Sequence, residues 1–203
     1  ASKHLASGPM KTVSFIGCGV QARTLHGAHR VVLGDFEALV HDRNPDTAKL
    51  FAGEIGGRVV SLEGAAGADI VCTATPARRP FIEKEWVRGG AHINAMGADA
   101  PGKQELSTEL LKSAAVYIDD IHQATGSGEI NVPLAGGEFS VDDIAGTLGE
   151  VVAGKASKPG GATTSIFDST GLAIQDVALA RAIYEAARSQ SIGVEIDLLG
   201  LDA

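Results

Sequence analysis

The 203-residue chain predicts an α/β protein with a doubly wound parallel sheet. Three observations predict it. Short apolar segments alternate with segments of helical period along the chain, the rhythm of strands returned by crossover helices. One of these segments, Thr12–Ile16, runs straight into Gly17-Cys-Gly-Val-Gln-Ala22, the G-x-G-x-x-A spacing of a dinucleotide-binding turn. Another, Ala68–Thr73, is apolar nearly throughout, as a strand covered on both faces should be.

Taken in order, Ala1–Ala6 reads as the end of a helix stopped by Ser7-Gly8-Pro9. Thr12–Ile16 is the first strand. In the turn after it, Gly17 permits the tight bend and Gly19 lets a pyrophosphate approach the backbone. Ala22 lets the next helix pack close on the strand. That helix is expected over Gln21–Val32, with Ala22, Leu25, Ala28 and Val32 on one face, and Gly34 ends it. Its first turn offers free N–H groups and a positive dipole end to phosphates. Glu37–His41 is the second strand. Asn44 then caps a helix opened by Pro45, which runs to Ile55 and stops at Gly56-Gly57. Further strands are expected at Arg58–Ser61, Ala68–Thr73, Ala91–Met96, Ala115–Asp119 and Ser165–Phe167, and further helices at Glu83–Val87, Val141–Ala153 and Leu172–Arg188. Gly126–Gly128 and Ser157–Ala162 read as loops.

Composition narrows the function. The formal net charge of -8, with no Lys/Arg run, argues against nucleic acid and anionic membranes as partners. No apolar run approaches a membrane span, and the N-terminal residues lack a signal-peptide core. Cys18 and Cys72 sit in apolar strand contexts and read as buried thiols in a reducing, cytoplasmic compartment. The histidines show no metal spacing, so no metal is expected. No Ser-His-Asp or Cys-His arrangement is indicated either.

Two carboxylates stand where chemistry would need them. Asp42 closes the second strand, somewhat beyond the usual interval of about 20 residues from the glycine turn. It reads either as the acid that accepts hydrogen bonds from an adenosine ribose or as a turn and helix-cap residue. In the first reading it favours NAD, while Arg43 beside it leaves NADP possible. Asp99 lies in a loop of small residues after the fifth strand. It reads either as a group that moves the proton accompanying hydride transfer or as an Asx-turn residue before Pro101. Lys103 is open between surface lysine and cofactor contact, and Asp168 reads as a cap for the last helix.

Longer motifs carry a resemblance. Ile16-Gly-Cys-Gly-Val-Gln-Ala-Arg23, Val40-His-Asp-Arg-Asn-Pro45, Ala74-Thr-Pro76 and His92-Ile-Asn-Ala-Met-Gly-Ala-Asp-Ala-Pro-Gly-Lys-Gln-Glu-Leu106 occur in order. Gly128-Glu-Ile130, Gly149-Glu-Val151 and Phe167-Asp-Ser-Thr-Gly-Leu-Ala-Ile-Gln-Asp176 follow. The series resembles the ornithine cyclodeaminase/mu-crystallin family, and within it the archaeal-type alanine dehydrogenase branch. The resemblance implies a Rossmann domain that binds NAD(P). It also implies redox chemistry at the α-carbon of an amino acid or cyclic imine, by a dehydrogenase, a ketimine reductase or a cyclodeaminase. By the same resemblance Gly17, Gly19, Val20, Gln21, Ala22, Asp42 and Arg43 would line the cofactor, as would Thr75, Pro76, Asn94, Met96 and Lys103. Thr170 and Gly171 would lie near the nicotinamide and substrate, and Asp99 would handle the proton.

The family also implies an N-terminal region that holds the substrate carboxylate and forms a homodimer. Residues 1–11 then read as the end of a crossover helix and residues 12–190 as the NAD(P)-binding domain. Residues 191–203, with Gly193–Leu199 as a strand, would return to the absent region. On this reading the chain is a fragment, inactive alone. The alternative is a non-catalytic nucleotide-binding module, or a binding protein like mu-crystallin, although mu-crystallin departs at the Asp99 loop. If Asp42 decides the cofactor, calorimetric titration should give tighter binding of NAD than of NADP; tight binding of NADP alone would mean that Arg43 outweighs it.

Overall fold

The computed structural model describes residues 1–8, 10–194 and 196, which fall into two units, the first ending at Thr170 and the second beginning at Gly171. In the first unit eight strands form one parallel sheet: β1 (Thr12–Ile16), β2 (Glu37–His41), β3 (Arg58–Val59), β4 (Ile70–Thr73), β5 (His92–Ala95), β6 (Ala115–Ile118), β7 (Ile144–Thr147) and β8 (Ser165–Asp168). Their order is β3-β2-β1-β4-β5-β8-β6-β7, and each neighbouring pair runs parallel. The helices of this unit are α1 (Ser2–Leu5), α2 (Val20–Leu33), α3 (Pro45–Ile55), α4 (Leu62–Ala66), α5 (Thr108–Ser113), α6 (Ile121–Ser127), α7 (Asn131–Ala135) and α8 (Leu148–Val152). The second unit holds α9 (Ala173–Ser189), which carries an Arg181–Glu185 ion pair and stacks Arg188 over the Tyr184 ring.

Alternation along each strand builds a core on both faces of the sheet. Val13 and Phe15 of β1, Ala38 and Val40 of β2, and Ile70 and Cys72 of β4 pack on one face. There they meet Ala22 of α2 and Ala48, Phe51 and Ala52 of α3. Ile16, Leu39, Val71, Ile93, Val116 and Ile166 take the other face, with Ala65 and Ala66 of α4 and Leu110 and Leu111 of α5. Phe51 is fully buried and meets Phe15 edge to face, ring centroids 6.0 Å apart. Burying such a side chain contributes about 1.5–3 kcal/mol.

The elements with local signals fall where the sequence puts them. β1 and β2 have the expected bounds. The Asn44 side chain accepts from the Asp46 and Thr47 N–H groups and starts α3, which ends at Gly56. The expected helix over Val141–Ala153 is instead divided into a 3-10 turn at Val141–Asp143, strand β7 and helix α8. Two capping boxes explain this. Ser140 pairs with Asp143, and Thr147 pairs with Glu150, so helical hydrogen bonding starts twice. The extended residues between them add a strand beside β6. Glu83–Val87 is likewise reduced to a 3-10 turn at Lys84–Trp86. The short helices α4 to α7 went unforeseen, because five to seven residues show no period. The expected strand over Gly193–Leu199 lies for the most part outside the described residues.

A buried polar seam ties α1 to the sheet. The Ser2 hydroxyl lies 2.9 Å from His29 Nε2 and accepts from Asn94 Nδ2 at 2.9 Å. Asn94 Oδ1 lies 3.1 Å from His92 Nε2, and His92 Nδ1 lies 2.9 Å from the Ser165 hydroxyl. Ser165 in turn donates to the Leu5 carbonyl at 3.0 Å. Burial pushes the His92 imidazole down to about 3, so it is uncharged at neutral pH. Removing the hydroxyl at the centre of the seam leaves His29 and Asn94 with one partner fewer. Ser2→Ala should therefore cost about 1–3 kcal/mol and lower the thermal midpoint by about 2–4 °C per kcal/mol. An unchanged melting curve would show that α1 is only loosely attached.

Candidate functional site

Strand order changes direction between β1 and β4, so their carboxyl ends flank a crevice of the kind that receives ligands in such sheets. Gly17 leaves β1 with φ 88, and a Cβ there would lie 2.5 Å from the Ala74 carbonyl oxygen. Only glycine fits this backbone contact between the turn and the loop after β4. Gly17 N–H donates to the His41 carbonyl at 2.9 Å.

Gly19 is the N-cap of α2. It provides no side-chain cap, and a Cβ there would meet nothing within 4 Å. Val20 and Gln21 are exposed. The first turn of α2 therefore presents uncapped N–H groups and the positive dipole end to open space, the arrangement that holds phosphate. Ala22 is buried against the sheet, as helix–strand packing requires.

The turn is braced from both sides. Asp42 Oδ2 accepts from Cys18 N–H at 2.8 Å, and its Oδ1 accepts from Asn44 N–H at 2.8 Å. Each oxygen keeps a lone pair for a further donor. Arg23 donates to the Cys18 and Gly19 carbonyls and pairs with Glu54. Arg43 is exposed and makes no hydrogen bond or ion pair among the described residues.

The loops after β4 and β5 meet on Glu105, which is fully buried. Its Oε1 accepts from Thr75 N–H at 2.8 Å and the Thr75 hydroxyl at 2.6 Å. Its Oε2 accepts from the Thr73 hydroxyl at 2.5 Å and Gly97 N–H at 3.0 Å. Burial raises its carboxyl above the usual range, against these hydrogen bonds, which favour the charged form. Met96 N–H donates to the Thr73 carbonyl, and Pro76 is exposed. Farther along the loop after β5, Asp99 is exposed and ion-paired with Lys103, whose side chain is largely covered. Beyond β8, Thr170 donates its N–H and hydroxyl to Asp119, and Gly171 opens the second unit with φ 82.

The structure thus gathers Gly17, Gly19, Asp42, Arg43, Thr75, Pro76, Met96, Asp99, Lys103 and Thr170 on loops at the carboxyl edge of the sheet, with Val20 and Gln21 in the first turn of α2 beside them. Asn94 is not among them: it is buried within β5, its amide engaged with Ser2, Cys72 and His92. Sequence reasoning missed Arg23 as a brace and passed over Glu105 and Glu129. No local signal marks Glu105, because its partners Thr73 and Thr75 lie 32 and 30 residues away. A cleft of about 630 Å³ between His26, Arg30, Phe36, Glu37 and Arg58 lies at the amino end of β2, away from these loops, with Arg30 and Arg58 paired to Asp35 and Glu37. Among the described residues no group of three His, Cys, Asp or Glu could hold a metal ion, and no helix could cross a membrane.

Asp168, at the end of β8, is fully buried and accepts from Glu129 N–H at 2.8 Å and Ile130 N–H at 3.3 Å. Burial outweighs those bonds and pushes its carboxyl up to about 7; the Asp119 charge adds to the rise.

Comparison with known proteins extends these observations. The ornithine cyclodeaminase/mu-crystallin family profile matches residues 1–191. An alanine dehydrogenase of Archaeoglobus fulgidus is 44% identical over 202 residues, covering 97% of this chain and 63% of the relative. An iminosuccinate reductase of Paracoccus denitrificans is 34% identical over 206 residues, with 97% and 63% covered. The solved structure of an archaeal alanine dehydrogenase dimer with bound NAD superposes with a TM-score of 0.95 at 42% identity, covering 98% of this chain and 64% of that one. The chain therefore spans a little under two thirds of the length of these proteins.

Asp168 gives a pH test. Its carboxyl titrates at about 7 when folded and near 4 when unfolded, so between those values the folded chain holds the extra proton. Its contribution to stability is lost as pH rises from about 4 to about 7 and is level above that. Asp168→Asn removes the titration. The wild-type-minus-variant unfolding free energy from urea melts should fall by about 2 kcal/mol between pH ~5 and ~8. A difference independent of pH would contradict the assignment.

Proposed function

The chain belongs to the ornithine cyclodeaminase/mu-crystallin family, and we propose that it is the NAD-binding portion of an enzyme that moves hydride at the α-carbon of an amino acid or its imine. The uncapped, open first turn of α2 carries the reading: a glycine turn braced by Asp42 and Arg23 leaves its N–H groups to an anionic ligand. NAD, when bound, supplies the hydride acceptor or donor. The α2 N–H groups take its pyrophosphate. Asp42 receives the adenosine ribose hydroxyls on its remaining lone pairs, which favours NAD over NADP. The Thr75 and Met96 segments, set by Glu105, border the nicotinamide side.

When an amino acid becomes an imine, the α-carbon gives up hydride and the nitrogen gives up a proton. Asp99 takes that proton. Lys103, paired with it, holds the carboxylate in place. Oxidation of an amino acid, reduction of a cyclic imine and cyclisation with loss of ammonia all pass through this exchange. We read residues 12–190 as the nucleotide-binding domain, with residues 1–11 and 191–203 as its passages to and from a substrate domain. The whole protein then works as a dimer, as the alanine dehydrogenase relative does.

Assay of the full-length protein decides the matter. Amino acids such as alanine and ornithine, or cyclic imines, should change NADH absorbance. Asp99→Asn should lower kcat by about 10²–10⁴-fold with little effect on NADH affinity. No nicotinamide turnover with any of the three substrate types would overturn the proposal.

A further inference from the structure

Gly128-Glu-Ile-Asn131 is a stretch the proposed chemistry leaves without a task, yet its side chains grip the backbone of the Asp99 loop. Asn131 Oδ1 accepts from Gly102 N–H at 2.9 Å, and its Nδ2 donates to the Lys103 carbonyl at 2.9 Å and the Gly128 carbonyl at 2.5 Å. Glu129 Oε1 accepts from Glu105 N–H at 2.7 Å and Leu106 N–H at 2.5 Å. Residues 102–106 are thus held by two side chains two positions apart. The grip is itself anchored, because Asp168 takes the Glu129 and Ile130 N–H groups and Ile130 is fully buried in the core.

The held segment passes the constraint on. Glu105, fixed through its own N–H, binds Gly97 N–H and the Thr73–Thr75 turn with its carboxylate. The loop from Gly97 to Gly102, which carries Asp99, is therefore tied at both ends. Lys103, which pairs with Asp99, has its carbonyl tied as well.

A purely structural filler would not look like this. Glu129 is fully buried, and its Oε2 has no hydrogen-bond partner among the described residues. Burial of the group and the nearby Glu105 charge both push its carboxyl well above the usual range. An apolar side chain would fill the space at lower cost. What the acid adds is direction for two backbone N–H groups. None of its bonds, or those of Asn131, reaches Gly17–Gly19 or Asp42.

We propose that Glu129 and Asn131 are positioning residues that fix the nicotinamide-side loop of the site, and that they leave the adenosine side untouched. The inference rests on the NAD reading above, and its test separates the two. The chain is titrated by calorimetry with NADH and with ADP-ribose, which lacks the nicotinamide ring. Wild type should bind NADH more tightly than ADP-ribose. Asn131→Ala should weaken NADH by about tenfold or more and change ADP-ribose by less than about twofold. Glu129→Ala removes the acceptor of the Glu105 and Leu106 N–H groups and should likewise weaken NADH by about tenfold or more with ADP-ribose little changed, and Glu129→Gln, which keeps that oxygen, should recover NADH binding relative to Glu129→Ala. If Asn131→Ala does not melt cooperatively, Asn131→Asp carries the same comparison, because it keeps the acceptor for Gly102 and loses the donor to Lys103. Equal weakening of both ligands, or no change in either, overturns the positioning role while the NAD reading stands. Wild type that binds neither ligand overturns the NAD reading, and the inference with it.

Discussion

All eight strands run in the same direction, and the rest of the structure depends on that constraint. A parallel sheet needs a crossover for each return, so the loops leaving the carboxyl ends of its strands emerge along one edge. The glycine turn, Asp42, the Thr73–Pro76 turn and the Asp99 loop therefore share an edge although they are distant in sequence. The change of direction between β1 and β4 opens a gap there, because the chains leaving these two strands turn apart. The close approach of Gly17 to Ala74 marks the narrow floor of that gap.

Loops cannot satisfy their N–H groups by forming ladders, and this protein meets the need with carboxylates. Asp69 takes the Lys11 and Thr12 N–H groups at the entrance to β1. Asp42 takes Cys18, Glu105 takes Thr75 and Gly97, Glu129 takes Glu105 and Leu106, and Asp168 takes Glu129 and Ile130. Charge-assisted bonds of this kind are shorter and stronger than neutral ones and specify direction. The cost is electrostatic. Glu105, Glu129 and Asp168 are all buried and all shifted toward the protonated form. The loops along this edge thus have their N–H groups held by carboxylates, an arrangement that would suit the proposed site, where reacting atoms need fixed separations.

What the sequence discloses follows from the range of the forces involved. β1, the glycine turn, β2 and α3 are specified by neighbours: apolar runs, a glycine spacing, and Asn44 with Pro45. They are legible for that reason. The stretch from Val141 to Ala153 has helical residues, but the side chains that interrupt it act over three positions, and a period count passes over them. Glu105 and Glu129 contact partners that only the fold brings close, so nothing in the local sequence shows their work. Asn94 shows the reverse case. Its place near a strand end suggests a ligand, but the side chains of β5 alternate and its own points under α1, to a seam that includes Ser2, far away in sequence.

Asp42 occupies two roles that cannot be altered separately. It stands at the end of β2, where under the proposed reading it would meet the adenosine ribose, and it also anchors the Cys18 N–H in the glycine turn. Exchanging the acid for a small or basic residue, the change that would admit the extra phosphate, also releases that N–H and loosens the turn. If Asp42 selects the cofactor as proposed, evolution toward the other one would pass through a weak binder or recapture the freed N–H with a second substitution, and the preference would resist single-step drift.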